Sequence, residues 1–366
     1  MIDQAFWQGK RVFLTGHTGF KGSWLSLWLV SLGASVKGYA LNPNTTPSLF
    51  NEAKVDRVID SQIGDIRDQE ALHESMTTFN PDVLIHMAAQ PLVRYSYDAP
   101  IETYEVNVIG TAKVLEVARN CAKLKAIVNI TTDKCYENDE RSQGYKENDP
   151  MGGHDPYSSS KGCSELVTSA YRRSFLQEQG VGLASARAGN VIGGGDWAMD
   201  RIVPDCMQAW SNNQAVDIRS PHATRPWQHV LEPLNGYLLL AENLSQSVQY
   251  HGEAYNFGPP AHQNHSVSEL INEMGKYWNK VQWNNTSEDG EHFHEAGLLK
   301  LNCDKSLFDL QWESTLNFTE TVEMTVEWYK HYYQNPCQSL YDFTMNQIEL
   351  YTKASKLKNT VRANND

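Results

Sequence analysis

The sequence predicts a doubly wound α/β fold, and three observations carry that prediction. Short β-branched or apolar runs alternate with longer stretches of helical periodicity between residues 11 and 188. A glycine-rich turn follows the first of those runs, and the composition, 40% hydrophobic and 20% charged over 366 residues, suits a globular chain with room for two lobes.

Taken in order, strands are expected near 11–15, 35–40, 83–86, 125–131 and 182–188, with helices near 20–33, 68–79, 98–121 and 156–179. Each helix connects successive strands as a right-handed crossover requires, so the sheet is expected to be parallel with its ligand at the carboxyl ends of the strands. After residue 189 the rhythm breaks at Gly193-Gly194-Gly195, Trp197, Pro204, Pro221, Pro226 and Pro259-Pro260. We therefore expect a first domain over 1–188, with 222–255 returning to it through a helix at His229–Ala241, and a smaller mixed α/β cap from 189–221 and 256–350. The polar stretch 351–366 is expected to be a tail that frays from Lys353.

A formal net charge of −13 argues against nucleic acid or an anionic membrane as partner, and leaves small enclosed anions as the class of charged ligand. The six cysteines, at 121, 135, 163, 206, 303 and 337, form no CxxC pair and read as reduced thiols of a cytoplasmic protein. The first ten residues include Asp3 and lack a continuous apolar core, so no signal peptide is expected. No apolar run is long enough to span a bilayer. Glu291-His-Phe-His-Glu295 places two imidazoles on one face of an extended chain, but without a third ligand at useful spacing no metal site is expected.

The run Arg11-Val-Phe-Leu-Thr15 leads into Gly16-His17-Thr18-Gly19-Phe20-Lys21-Gly22 and then a helix. Glycine permits the tight turn and lets a phosphate reach amide groups at the helix amino end, where the dipole favours an anion. Tyr157-Ser-Ser-Ser-Lys161 puts a phenol and an ammonium on one helix face, one turn apart. A cation there is expected to lower the proton affinity of the phenol and make it a base.

These motifs together resemble the extended short-chain dehydrogenase/reductase family, a Rossmann-type fold, and within it the nucleotide-sugar 4,6-dehydratases. The resemblance covers the chain to about residue 330 and implies NAD as cofactor and a nucleotide sugar as substrate. It assigns the cofactor to the glycine turn, to Asp65 and Ile66 in Gly64-Asp65-Ile66-Arg67, and to Ala88, Ala89 and Gln90 in His86-Met-Ala-Ala-Gln90. Asn107 is expected to be structural. Where an acid usually holds the adenosine ribose, Tyr39-Ala-Leu-Asn42 presents Asn42, so a preference for NAD over NADP rests on the resemblance. His17 and Lys21 are bulkier than many relatives carry, and read either as loosening adenosine binding or as solvated loop side chains.

The same resemblance makes Thr132 the third member of a triad with Tyr157 and Lys161, Asp133 the acid that protonates the departing 6-hydroxyl, and Lys134 the base at carbon 5. Relatives have glutamate at the last position; lysine resembles the CDP-glucose branch. Lysine serves as a base only when neutral; an anion clamp or surface charge is the other reading. Asn190 in Arg187-Ala-Gly-Asn190 and Arg225 in Arg225-Pro-Trp-Gln-His-Val230 correspond to phosphate contacts, with Arg219 a second candidate. Arg94 and Ser96 are placed at the hexose pocket. The resemblance also implies a homodimer or dimer of dimers, paired through helices 98–121 and 156–179. The competing functions are a nucleotide-sugar 4-epimerase, which needs no elimination acid at 133, and a non-enzymatic NAD-sensing regulator, which needs neither Tyr157 nor Lys161.

Overall fold

The computed structural model describes residues 1–260, 263–286, 298–335 and 338–363. Seven strands, β1 (Arg11–Thr15), β2 (Ser35–Ala40), β3 (Asp60–Ile63), β4 (Val83–His86), β5 (Ala126–Ile130), β6 (Gly182–Ala188) and β7 (Ala254–Phe257), form one sheet in the order β7-β6-β5-β4-β1-β2-β3. Every neighbouring pair in it is parallel. The central strands β4, β5 and β6 are buried throughout, as a sheet covered on both faces demands. β3 escaped the sequence reading because Asp-Ser-Gln-Ile sits at the sheet edge, partly in water, and carries no apolar run.

Helices α1 (Phe20–Ser31) and α6 (Leu231–Gln246) cover one face, while α2 (Gln69–Phe79), α3 (100–118) and α4 (Pro156–Tyr171) cover the other. α3 passes through a π-helical turn at Glu105–Gly110, which places Asn107 on its inner side. α4 starts where it does because Asp155 accepts the Ser158 amide and Pro156 occupies the first turn, which sets Tyr157 at the helix mouth. The strand order reverses between β1 and β4, and the crevice above that point is where such sheets take ligands.

Beyond β6, short strand pairs replace crossovers: 191–192 with 228–229, 216–218 with 283–285, and 224–225 with 265–266. Helices α5 (Ile202–Ser211) and α7 (Phe318–Gln334) complete this part. Gly194 lies so close to α7 that a Cβ there would stand 1.9 Å from the Trp328 ring. The expected fraying tail is corrected: the chain from Leu340 to Ala363 is one helix, α8. Its polar side faces water while Thr344, Ile348 and Tyr351 are buried, with Thr344 accepting the Trp328 indole N–H at 3.0 Å. The Glu291–Glu295 stretch lies outside the described residues, and among the described residues no cluster of metal-ligating side chains occurs. No described helix is long and apolar enough to cross a membrane.

Two buried glutamates on α6 tie both chain ends to the sheet. Glu232 accepts the amides of Thr315 and Leu316 and the Tyr351 hydroxyl; Glu242 accepts the Trp7 indole N–H at 2.5 Å and the Asp3 amide at 3.0 Å. Burial pushes both carboxyls up to about 7 against these donors. Because the folded values lie above the unfolded one, this stabilisation is complete below about pH 4.5 and is lost as pH rises through about 7. The free energy of unfolding should therefore fall between about pH 4.5 and 7, by on the order of several kcal/mol at most. The double change Glu232→Gln, Glu242→Gln should flatten that slope, and an unchanged slope would contradict the assignment.

Candidate active site

β1 ends at the glycine turn, where Gly16 adopts a φ of +81° that favours glycine and packs on the backbone after β4. A Cβ on Gly22 would stand 2.1 Å from the Gly16 carbonyl, so the third glycine serves the contact of helix with strand. Gly19 caps α1 without a side-chain acceptor, and a Cβ there would meet only the Gly16 oxygen, at 3.4 Å. The amides of the first turn of α1 are thus open on one side, which fits a dinucleotide pyrophosphate. Ala88 donates its amide to Thr15 Oγ1 at 3.1 Å, and the Gln90 amide donates to Asn107 Oδ1 at 2.9 Å. Asn107 in turn donates to the Gln90 carbonyl and to Ser160 Oγ, fastening the 88–90 segment to α4.

The candidate reacting groups sit where β5, α4 and β6 meet. Thr132 caps a 3₁₀ turn over Asp133–Cys135, donates to Asp133 Oδ1 at 2.9 Å and hydrogen-bonds the Tyr157 phenol. Lys161 donates to the Ile130 carbonyl at 3.2 Å. Against the expectation from spacing, the phenol is not eased: burial pushes Tyr157 up to about 12, with Thr132 and Arg201 working the other way. Lys161 is itself drawn down to about 8 by burial, which the Glu165 carboxylate partly opposes. Asp133 is buried, and it fits only because residue 189 is glycine: a Cβ there would stand 2.7 Å from Asp133 Oδ2. Lys134 extends beside it, about a third exposed, with Nζ 3.8 Å from Asp133 Oδ1.

A family model described as GDP-mannose 4,6 dehydratase matches residues 13–325. The chain belongs to that family. A CDP-glucose 4,6-dehydratase of Salmonella typhimurium is 54% identical over 337 residues, covering 90% of this chain and 93% of that protein. Among solved structures, the Streptomyces venezuelae dTDP-glucose 4,6-dehydratase DesIV, with NAD and TYD bound, superposes with a TM-score of 0.73 at 23% identity, over 90% of this chain and 100% of that one. The Brucella ovis UDP-glucose 4-epimerase, in complex with NAD, reaches 0.73 at 20% identity, over 87% and 97%. At these identities the two solved structures speak for the fold alone.

Within this dehydratase-family chain several expected side chains stand elsewhere than foreseen. The His17 imidazole turns inward, bonded to Ser61 Oγ at 2.7 Å and in edge-to-face contact with Phe50, and burial draws it down to about 4. It is neither solvated nor facing the crevice, because Gly38 leaves room for the ring beneath β2. Lys21 lies with the candidate reacting groups: burial lowers it to about 8, and its ammonium senses Arg201, Asp133, Lys161 and Lys134. Ser96 is a correction, since it is fully buried and its hydroxyl is spent on the Val93 carbonyl at 2.6 Å. Asp65 is gripped by the Arg67 guanidinium, Ile66 is buried against Gly110, and Asn42 is exposed just past β2.

On the substrate side, Asn190 and Arg225 are half-buried, and the Arg225 guanidinium donates to the Thr224 carbonyl. Arg94 and Arg219 converge on one carboxylate, Asp200, at 2.7 and 3.5 Å. Arg201 was missed from sequence. It pairs with Asp196 at 2.6 Å and its charge reaches Tyr157. The signal available was that Arg201 is the one Lys or Arg between Arg187 and Arg219. The tight seat of Asp133 yields a direct test: Gly189→Ala should displace that carboxylate and cut turnover at least about tenfold while the unfolding temperature stays near the parent value. Parent-like turnover would show that the seat is not needed.

Proposed function

We infer that the chain dehydrates CDP-D-glucose to CDP-4-dehydro-6-deoxy-D-glucose with NAD as cofactor. The observation that carries this reading is the Thr132-Asp133-Lys134 turn set against Tyr157: a buried acid with an amine on one side and, on the other, a phenol held by Thr132. The nucleotide follows the 54% identical relative. When bound, NAD supplies a two-electron acceptor for carbon 4 that returns the electrons at carbon 6, along with a positive ring charge. Gly16, Gly19 and Gly22, with Phe20, Ala88 and Ala89, line its place, and Asn42 and Asp65 stand toward the adenosine end.

Tyr157 takes the proton of the 4-hydroxyl. Its burial opposes ionisation, so the step depends on the Thr132 hydrogen bond and the Arg201 charge that act on it, with Lys161 one turn further along α4. The ketone formed at carbon 4 acidifies the proton on carbon 5, which Lys134 removes. Asp133 gives its proton to the departing 6-hydroxyl, and water leaves. These two roles require neutral Lys134 and protonated Asp133, and that state differs from the ion pair only by one proton moved between neighbours 3.8 Å apart. Asn190, Arg225 and Arg219 bind the diphosphate, Arg201 holds its inner end, and Arg94 stands toward the hexose.

A homodimer built on α3 and α4 belongs to the same proposal. Ile101, Ile109 and Leu166 on those helices are exposed at 70%, 51% and 65%, and Ile109→Glu should turn a dimer into a monomer on size-exclusion chromatography. A cytoplasmic location rests on the described cysteines standing as free thiols.

Mass spectrometry with CDP-, TDP-, UDP- and GDP-glucose tests the reaction and the base together. A CDP product lighter by one water is expected; an unchanged mass would turn the reading to a 4-epimerase. Tyr157→Phe should cost about a hundredfold or more in turnover. Lys134→Ala should stop exchange of the carbon 5 hydrogen with deuterated solvent, and exchange at the parent rate would move the base elsewhere.

A further inference from the structure

One carboxylate in the protein interior has no part in the scheme above, yet from α4 it bonds both the chain just after β5 and strand β6, which flank the candidate reacting groups. Glu165 lies one helical turn beyond Lys161 on the same face of α4. Its Oε1 accepts from Thr131 Oγ1 at 2.5 Å and from Arg187 Nε at 2.8 Å; its Oε2 accepts from Ser185 Oγ at 2.5 Å and Arg187 Nη2 at 3.0 Å. Arg187 also donates through Nη1 to the Tyr136 hydroxyl at 2.8 Å and lies over that ring. Both charged groups are almost wholly shielded from solvent.

Thr131 and Tyr136 flank the turn that holds Thr132, Asp133 and Lys134. One end of the turn is therefore tied to Glu165 and the other to Arg187. We propose that the Glu165–Arg187 pair is the positioning unit of the reaction centre, holding both ends of the 131–136 turn and providing the negative charge that balances Lys161. The proposal rests on the dehydratase reading above.

The groups around Lys161 leave Glu165 in that role. Tyr157 on the same helix is a neutral phenol, and burial keeps the Cys135 thiol protonated. Burial and Lys161 hold His86 on β4 neutral, down at about 3. Lys21 at the start of α1 adds positive charge. Glu165 itself stays below the usual carboxylate range: burial pushes it up, but Arg187, Ser185 and Thr131 more than offset that. Removing its charge lowers the proton affinity of Lys161, so the alkaline limb of the turnover profile, where Lys161 loses its proton, moves to lower pH.

Two variants separate positioning from mere structure. Thr131→Val keeps shape but deletes one anchor; kcat should fall about tenfold with KM within about twofold and the unfolding temperature nearly unchanged, and Thr131→Ser should restore kcat. Glu165→Gln should move the alkaline limb of kcat down by about one pH unit. Should that variant fail to fold with Arg187 left uncompensated, Glu165→Leu with Arg187→Met removes both charges and should move the limb in the same direction by a smaller amount, because a cation leaves with the anion. Parent-like kcat in Thr131→Val, or an unmoved alkaline limb in the charge-free variants, overturns the proposal. A parent protein that forms no dehydrated product overturns the dehydratase reading and this proposal with it. A parent that dehydrates beside variants that match it overturns the proposal alone.

Discussion

Glu165 and Arg187 face each other across the dry seam between α4 and β6, and the elements of the reaction centre are hung from that contact. Two charges so deeply buried cost several kcal/mol each in lost hydration, and only dense hydrogen bonding repays it. Here the carboxylate accepts from Thr131, Ser185 and the fork of Arg187, while the guanidinium reaches on to Tyr136 and the Glu147 carbonyl. Tyr136 donates onward to Asn256 of β7, and Asn256 binds the Tyr145 and Asn302 carbonyls. A helix, two strands, the catalytic turn and the excursion over 136–151 thus share one electrostatic anchor. Because an unpaired buried charge is so costly, these parts hold a single arrangement.

Close approach of backbones is the second organising constraint. Gly22 lets α1 meet β1, Gly189 makes space for the Asp133 carboxylate, and Gly194 admits the Trp328 ring beneath the cap loop. That loop is then sealed by edge-to-face contacts of Trp197 with Trp328, Tyr329 and Tyr332, and by the Tyr329 hydroxyl on the Asp196 carbonyl. Asp196 in turn pairs with Arg201. Aromatic packing of the cap is therefore what delivers a guanidinium to Tyr157.

The local charge of the crevice opposes that of the whole chain. Lys21 interacts with Lys134, Lys161, Arg201 and Asp133, and Arg201 with Tyr157, in a protein whose formal net charge is −13. An anionic substrate is repelled by the bulk surface and attracted at one place. The same crowding, added to burial, draws the ammonium of Lys21 down to about 8.

The doubly wound sheet was legible in the sequence because strands covered on both faces must be apolar runs, and β1, β2, β4, β5 and β6 read as such; β3 did not, being a polar edge strand. The glycine turn and Tyr157 with Lys161 were legible because each is local, a backbone conformation or a spacing along one helix. Side-chain direction is not local. That His17 turns under β2, that Lys21 joins the catalytic group, that Ser96 points inward and that 351–363 docks as helix each depend on what stands opposite, at Gly38, Asp133, Val93 and Glu232. By itself the sequence determined the fold class, the glycine turn after β1 and the spacing of Tyr157 and Lys161 along one helix. Tertiary structure alone decided which charges meet, because ionisation and hydrogen bonding are set by partners brought together across tens of residues, as Glu165 and Arg187 are around the turn they hold.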